Sequence, residues 1–201
     1  MEYKDCSIGI LDYKCGNLNS LKSIIKSIGF NCFISNQKKE LLKSDLLILP
    51  GVGNFSFAMK QLEKMRMIQF IRKFSKKKPL IGICLGMQIL FTIGYETKKT
   101  KGLDLIKGTV ERFSKDKCNI GWRNCEKKNY LVDKNQFYYF NHSFFVKTNS
   151  KNAVTYSSFD KIKFPSIIKK KKIIGFQFHP EKSQFNGKQL LKKTINMIIN
   201  D

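Results

Sequence analysis

Six consecutive residues, Pro79-Leu80-Ile81-Gly82-Ile83-Cys84, carry no polar side chain beyond a terminal thiol, and Leu85-Gly86 follows at once. A run this short cannot cross a bilayer, which takes about 20 apolar residues. It reads instead as a strand covered on both faces. Three earlier runs share its texture: residues 7–11, 30–34 and 45–49, the last ending at Pro50-Gly51. Between them lie helical patterns. One runs from the Gly16-Asn17 turn to about Ile28, with Gly29 as its C-cap, and another from Phe55 to Phe74, broken near Arg66. Short apolar strands alternating with helices predict an α/β fold: an open, mostly parallel sheet with helices on both faces.

Beyond Gly102 the texture changes. Residues 105–113, 136–146, 153–159 and 172–178 alternate or run apolar at strand length with little helix between them, which predicts added antiparallel strands. An amphipathic helix over 187–199 closes the pattern. No repeat, low-complexity tract or linker interrupts the 201 residues, so 1–201 reads as a single domain. A chain of that size hides roughly 70% of its unfolded surface without staples. The first residues, Met-Glu-Tyr-Lys-Asp-Cys, lead into a strand with no cleavage site, so neither a signal peptide nor a membrane span is expected.

A formal charge of +23 invites a nucleic-acid reading. The cations, however, are 34 Lys against four Arg (Arg66, Arg72, Arg112, Arg123). Bidentate recognition of phosphate and guanine uses Arg. Fifteen Asn and 23 Ile accompany the Lys, as codon drift in an AT-rich genome produces. The Lys clusters at 38–39, 76–78, 98–99, 127–128 and 169–172 fall between apolar runs, where solvated turns belong. The charge is therefore read as surface solvation, and no nucleic-acid or membrane partner is expected.

The six cysteines (Cys6, Cys15, Cys32, Cys84, Cys118, Cys125) form no C-x-x-C pair, and His142 and His179 are too few and too separated for a zinc set. No metal or cofactor is expected, and free thiols suit a reducing cytoplasm. Cys84 differs from the rest. Gly82-Ile83-Cys84-Leu85-Gly86 is the cysteine form of the G-x-S-x-G nucleophile elbow, in which a strand turns sharply into a helix. The turn pushes Sγ beyond the sheet edge, over a helix N-terminus where a thiol is most easily made reactive. A strand-to-helix turn around an inert cysteine would look the same in five residues.

A thiol nucleophile needs a base, and the base an orienter. Phe178-His179-Pro180-Glu181 offers both: the last strand delivers His179 to the carboxyl edge of the sheet, and Pro180 turns Glu181 back onto the ring. A surface His-Glu pair in a loop is the plainer alternative. At the end of the third strand, Pro50-Gly51-Val52-Gly53 allows backbone N–H groups to point into a site, and one of them with the N–H of Leu85 would make an oxyanion hole. A bare turn is equally consistent with those four residues.

Taken together, Gly-Ile-Cys84-Leu-Gly-Met-Gln, His179-Pro-Glu181 and Pro-Gly-Val-Gly closely resemble the class I glutamine amidotransferases, and the likeness extends from Asp12-Tyr13 to Gln184. Within that class the chain is most similar to the glutaminase subunits of imidazole glycerol phosphate synthase. Pro-Gly-Val-Gly-Asn-Phe at 50–55, Tyr139-Phe140-Asn141-His142-Ser143 and Phe-His-Pro-Glu-Lys-Ser-Gln at 178–184 carry that likeness, and relatives acting in anthranilate, carbamoyl phosphate and GMP synthesis usually have His where Met87 stands. The resemblance implies Cys84 as nucleophile, His179 as general base and acid, and Glu181 as its orienter. It implies Gln88, His142 and Ser143 as glutamine-binding, Gly53 and Leu85 as the oxyanion backbone, and Tyr139 and Lys182 as facing a β/α-barrel cyclase in a heterodimer. Glutamine would be hydrolysed to glutamate, and its ammonia passed to the cyclase.

Two stretches depart from the family pattern. Lys14 stands where Gly is usual, and the usual Pro-His-(Ile or Met)-Gly-Trp-Asn becomes Cys118-Asn119-Ile120-Gly121-Trp122-Arg123. A paralogue supplying ammonia to another synthase, for instance in surface-sugar modification, is the alternative these departures suggest. A basic binding module and a different cysteine hydrolase of the same fold are the remaining rivals.

Overall fold

A computed structural model describes residues 6–126, 131–133 and 136–200; the first five residues and the Lys127-Lys128 cluster lie outside them. Its main sheet has seven strands. Five are parallel, in the order β2 (Asn31–Ser35), β1 (Ser7–Leu11), β3 (Leu46–Leu49), β4 (Leu80–Ile83) and β13 (Ile173–Phe176). Two antiparallel strands extend it beyond β13: β12 (Ile162–Lys170) and then β11 (Ala153–Phe159). The expected α/β class, an open mostly parallel sheet with antiparallel additions, is therefore what forms.

The register shows why the central runs are apolar. Ile34, Ile10, Ile48, Ile81 and Ile174 stand in one row across the five parallel strands. That row faces α1 (Leu18–Ser27) and α6 (Gln184–Asn200), packing with Leu21, Ile25, Leu191 and Ile195. The neighbouring row, Leu47, Leu80 and Ile173, points to the other side. There it meets Ala58 and Leu62 of α3 (Phe55–Lys64) and Ile71 and Phe74 of α4 (Met67–Lys77). Alternate side chains are buried on opposite faces, and each fully buried Ile or Leu contributes about 1.5–3 kcal/mol. Asn17 caps α1 by accepting from the Ser20 N–H at 3.2 Å, and Gly29 ends it at φ +94°. The break between α3 and α4 comes at Arg66, which is left-handed at φ 55°.

Smaller sheets flank the large one. β5 (Phe91–Gly94), β6 (Thr100–Lys101), β7 (Ile106–Arg112) and β10 (Phe144–Thr148) form one, in the order β10, β7, β5, β6. β8 (Asn119–Asn124) and β9 (Phe137–His142) form a two-stranded ribbon.

Several expected boundaries move. The run 136–146 is not one strand: it bends at Ser143, so that β9 pairs with β8 while β10 pairs with β7. The last parallel strand ends at Phe176 rather than 178, although Gln177 still donates its N–H to the Ser166 carbonyl of β12 at 2.9 Å. The final helix starts at Gln184 rather than 187; Gly187 lies inside it, where a Cβ would come within 1.9 Å of the Pro180 carbonyl oxygen. Lys38-Lys39 belongs to a short helix, α2 (Lys38–Leu41), rather than to a turn. Strands β5, β6, β8 and β12 have no counterpart among the expected elements. β12 contains Pro165, which the adjoining β11 accommodates through register shifts at Thr155.

Candidate functional site

Between β4 and a single helical turn, α5 (Leu85–Gln88), the chain reverses at Cys84 with φ 52° and ψ −110°. A non-glycine residue adopts such a backbone only when its surroundings over-determine it. Here they do. The Cys84 N–H donates to the Phe176 carbonyl at 2.7 Å, and its own carbonyl accepts from the Met87 and Gln88 amides at 3.0 Å. The glycines make the turn possible by their lack of bulk. A Cβ on Gly82 would lie 2.6 Å from the Gly86 carbonyl oxygen, and one on Gly86 1.9 Å from the Leu49 carbonyl oxygen.

His179 follows β13, its N–H donating to the Tyr139 carbonyl at 2.8 Å. Its Nδ1 lies 2.7 Å from Glu181 Oε1, and both side chains are almost wholly buried. That carboxylate fixes the ring with Nδ1 protonated, leaving Nε2 as the exchangeable position. Burial opposes a charge on the ring, but the neighbouring Cys84 side chain and the Glu181 carboxylate outweigh it and raise the His179 pKa to about 10. The second Glu181 oxygen is buried with no hydrogen-bond partner among the described residues.

Cys84 and His179 open into one cavity of about 230 Å³, which Val52, Gly53, Leu85, Gln88, His142 and Ser143 also line. Pockets for drug-sized ligands are commonly larger, so this one suits a small molecule. The cavity thus gathers the expected nucleophile, base, oxyanion segment and substrate contacts, with Glu181 behind the base. Gly53, at φ +116°, has nothing within 4 Å of where a Cβ would stand. Tyr13 anchors the loop from below: its buried hydroxyl donates to the Pro50 carbonyl.

Tyr139 and Lys182 lie outside the cavity. The Lys182 ammonium sits 5.9 Å over the Tyr139 ring, and Trp122 packs edge-on to that ring at 6.0 Å. Lys182 lines an open groove with Gly16, Asn17 and Val52. Val52 therefore borders both spaces.

The structure adds residues that spacing did not reveal. Glu96 lines the cavity and accepts from the Phe55 N–H at the start of α3; burial raises its pKa more than its hydrogen bonds lower it. Gln177, fully buried, accepts from Gln88 Nε2 at 3.3 Å and points its own amide at Cys84 Sγ, 3.9 Å away. Asn141 and Cys118 complete the wall. Single polar residues in otherwise ordinary strands and loops leave no pattern by which to find them. Among the described residues no group of three or more His, Cys, Asp or Glu could hold a metal ion, and no helix is long and apolar enough to cross a membrane.

The family model "Glutamine amidotransferase class-I" matches residues 9–197. Among curated proteins, the imidazole glycerol phosphate synthase subunit HisH of Carboxydothermus hydrogenoformans is 38% identical over 94% of this chain and 98% of its own. The protein of the same name from Methanosarcina barkeri is 40% identical over 94% of this chain and 98% of its own. Among solved structures, a glutamine amidotransferase superposes with a TM-score of 0.74 at 18% identity, covering 95% of this chain and 98% of its own. PurLQS from Thermotoga maritima gives 0.71, also at 18% identity, over 96% of this chain and 98% of the compared one. At such identities the superpositions speak to the fold alone.

Proposed function

The chain belongs to the class I glutamine amidotransferases, and on that premise we infer that it is the glutaminase subunit of an imidazole glycerol phosphate synthase, a single-domain cytoplasmic protein working as a heterodimer with a β/α-barrel cyclase. The observation that carries the reading is one cavity holding Cys84 on its strained elbow and His179 braced by Glu181 at 2.7 Å.

The Cys84 thiolate attacks the side-chain carboxamide carbon of glutamine. The carbonyl electrons move onto oxygen, where the Leu85 N–H and an N–H of the Val52-Gly53 segment stabilise the anion. His179 Nε2 delivers a proton to the amide nitrogen, the C–N bond breaks and ammonia leaves a γ-glutamyl thioester. Water then attacks that thioester, giving its proton to His179; the C–S bond breaks, and glutamate departs with the thiolate restored. Glu181 holds the ring throughout and stabilises its cationic form. The Glu96 carboxylate suits the α-ammonium of glutamine, and Gln88, His142 and Ser143 frame the rest of the substrate.

The exposed face of the β8–β9 ribbon, with Trp122, Tyr139 and nearby Lys182, is the surface we assign to the cyclase. The departures at Cys118, Asn119 and Arg123 lie on that ribbon or beside it, which favours as a second reading a synthase partner other than the cyclase. Glutamate release from glutamine, measured with the cyclase and with other ammonia-accepting synthases, separates the two. Labelling of Cys84 by a diazoketone analogue of glutamine tests the shared chemistry. A chain that neither releases glutamate nor is labelled at Cys84 refutes both.

A further inference from the structure

Positions 119 and 123 have no role in the chemistry above, yet their side chains reach the substrate cavity through hydrogen bonds of fixed direction. Arg123 has only donors, and its Nε donates to Asn119 Oδ1. That orients the fully buried Asn119 amide, so its Nδ2 must donate to His142 Nε2, 2.9 Å away. His142 Nε2 is thereby an acceptor, and the ring's single proton sits on Nδ1, which donates to the Phe144 carbonyl at 2.7 Å. The same carbonyl accepts from Gln88 Nε2 at 2.8 Å. Gln88 in turn donates to Gln177, whose amide faces Cys84.

We propose that Arg123 and Asn119 are positioning residues for glutamine hydrolysis, locking His142 in its Nδ1–H tautomer and so holding the Phe144 carbonyl and Gln88 in their places on the cavity wall. The proposal rests on the glutaminase reading. A protonated His142 has no place in this arrangement: its Nε2–H would face the Asn119 amide N–H₂, and turning that amide would set N–H₂ against Arg123. The environment agrees. Rings of Phe113, Phe140 and Phe164 surround the imidazole at 5.5, 5.7 and 5.3 Å. The charged or titratable groups facing it are His179 and Arg123, both of which disfavour a further cation. Arg123 is itself seated over the Phe159 ring at 4.8 Å, which ties the ribbon to β11.

The full chain has two histidines, so two-bond ¹H–¹⁵N correlation spectra contain two ring systems. In the wild type one ring should show a bare Nε2 and a protonated Nδ1 from pH 6 to 8. In Arg123→Ala the Asn119 amide is free to turn, the His142 tautomer becomes mixed, and KM for glutamine, assayed with the partner, rises about tenfold, the equivalent of one hydrogen bond. The kcat value should change less than about threefold, since no group at the reacting carbon is lost. Arg123→Lys, which still donates, should restore both readouts. Asn119→Asp, an acceptor toward both neighbours, should move the ring proton to Nε2 or protonate the ring outright, and it serves if Arg123→Ala folds poorly. An unchanged tautomer and KM in Arg123→Ala and Asn119→Asp, with an active wild type, overturns the proposal alone. A wild type that releases no glutamate with any partner overturns the positioning role and the glutaminase reading together, whatever the spectra show.

Discussion

Gly51 lies so close to Gly86 that a Cβ on Gly51 would stand 2.2 Å from the Gly86 amide nitrogen. The loop after β3 and the elbow after β4 are thus in backbone contact, and of the two glycines flanking Val52 only Gly53 has open space around it. Gly51→Ala should force loop and elbow apart, costing about 1–3 kcal/mol of stability and most of the glutaminase activity. Gly53→Ala meets no atom but must hold φ +116°, so it should perturb activity more than stability. Thermal melts and kcat/KM for the two variants check the contrast; equal losses of stability would contradict it.

Because the peptide at Val52 borders both the thiol's cavity and the groove beside Lys182, a partner seated on that groove can set whether its N–H points at the oxyanion. The isolated chain should therefore be nearly inactive, and partner with bound acceptor should raise turnover about a hundred- to thousandfold, the effect of one oxyanion donor. Steady-state assays of the chain alone and in complex decide this. Full activity in isolation would mean that the loop is already competent.

Cys84→Ala should abolish glutamine hydrolysis without disturbing the fold, since the thiol is both attacking group and acyl carrier. The complex should still run on added ammonium. His179→Ala should cost nearly as much as losing the thiol, whereas Glu181→Gln keeps a ring that is present but less well braced, and retains more activity. A dead Glu181→Gln beside a mild His179→Ala would reverse these roles.

The two histidines act on stability from opposite ends of the pH scale. Burial lowers the His142 pKa from 6.5 to about 3. Between those values the unfolded chain binds a proton that the folded one refuses, so stability is lost as pH falls below about 6.5, by up to about 1.4 kcal/mol per unit. His179 is raised to about 10. Its contribution is complete below about 6.5 and is lost as pH rises toward 10. Urea midpoints measured across pH should trace a dome. His142→Gln should flatten the acid limb, and Glu181→Gln the alkaline one.

Lys14 is left-handed, at φ 66°, a backbone that favours glycine. A side chain there costs about 1–2 kcal/mol, and its 3.5 Å ion pair with Asp12 is too exposed to offset that. Lys14→Gly should raise the melting temperature by a few degrees, less the extra freedom glycine has when unfolded, with glutaminase activity unchanged.

The parallel sheet could be read from the sequence because strands buried on two faces leave no choice of residue: the isoleucine row and its leucine counterpart are the apolar runs themselves. The tight turn at Cys84 and the approach of Glu181 to His179 could be read as geometry, because the glycines and the paired side chains lie within a few residues of one another. Five or four residues alone left their chemistry open. Strands such as β12 could not be read, because exposed lysines and Pro165 hide a segment whose pairing comes from its neighbours. The contacts of Glu96, Gln177, Asn119 and Arg123 were hidden for another reason. Their placement depends on contacts between residues tens of positions apart, as in the 23-residue separation of Asn119 from His142.

The hydrogen bond from the Cys84 amide to the Phe176 carbonyl also bears on the order of events on the ribosome. β1 to β4 emerge first and can begin to pair, but the support that bends Cys84 into its unfavourable backbone is translated some ninety residues later, together with Gln177, His179 and Glu181. A nascent chain therefore carries Cys84 without the Phe176 support or its His179 neighbour, and the thiol is brought to its working geometry only when the last quarter of the sequence folds against the rest.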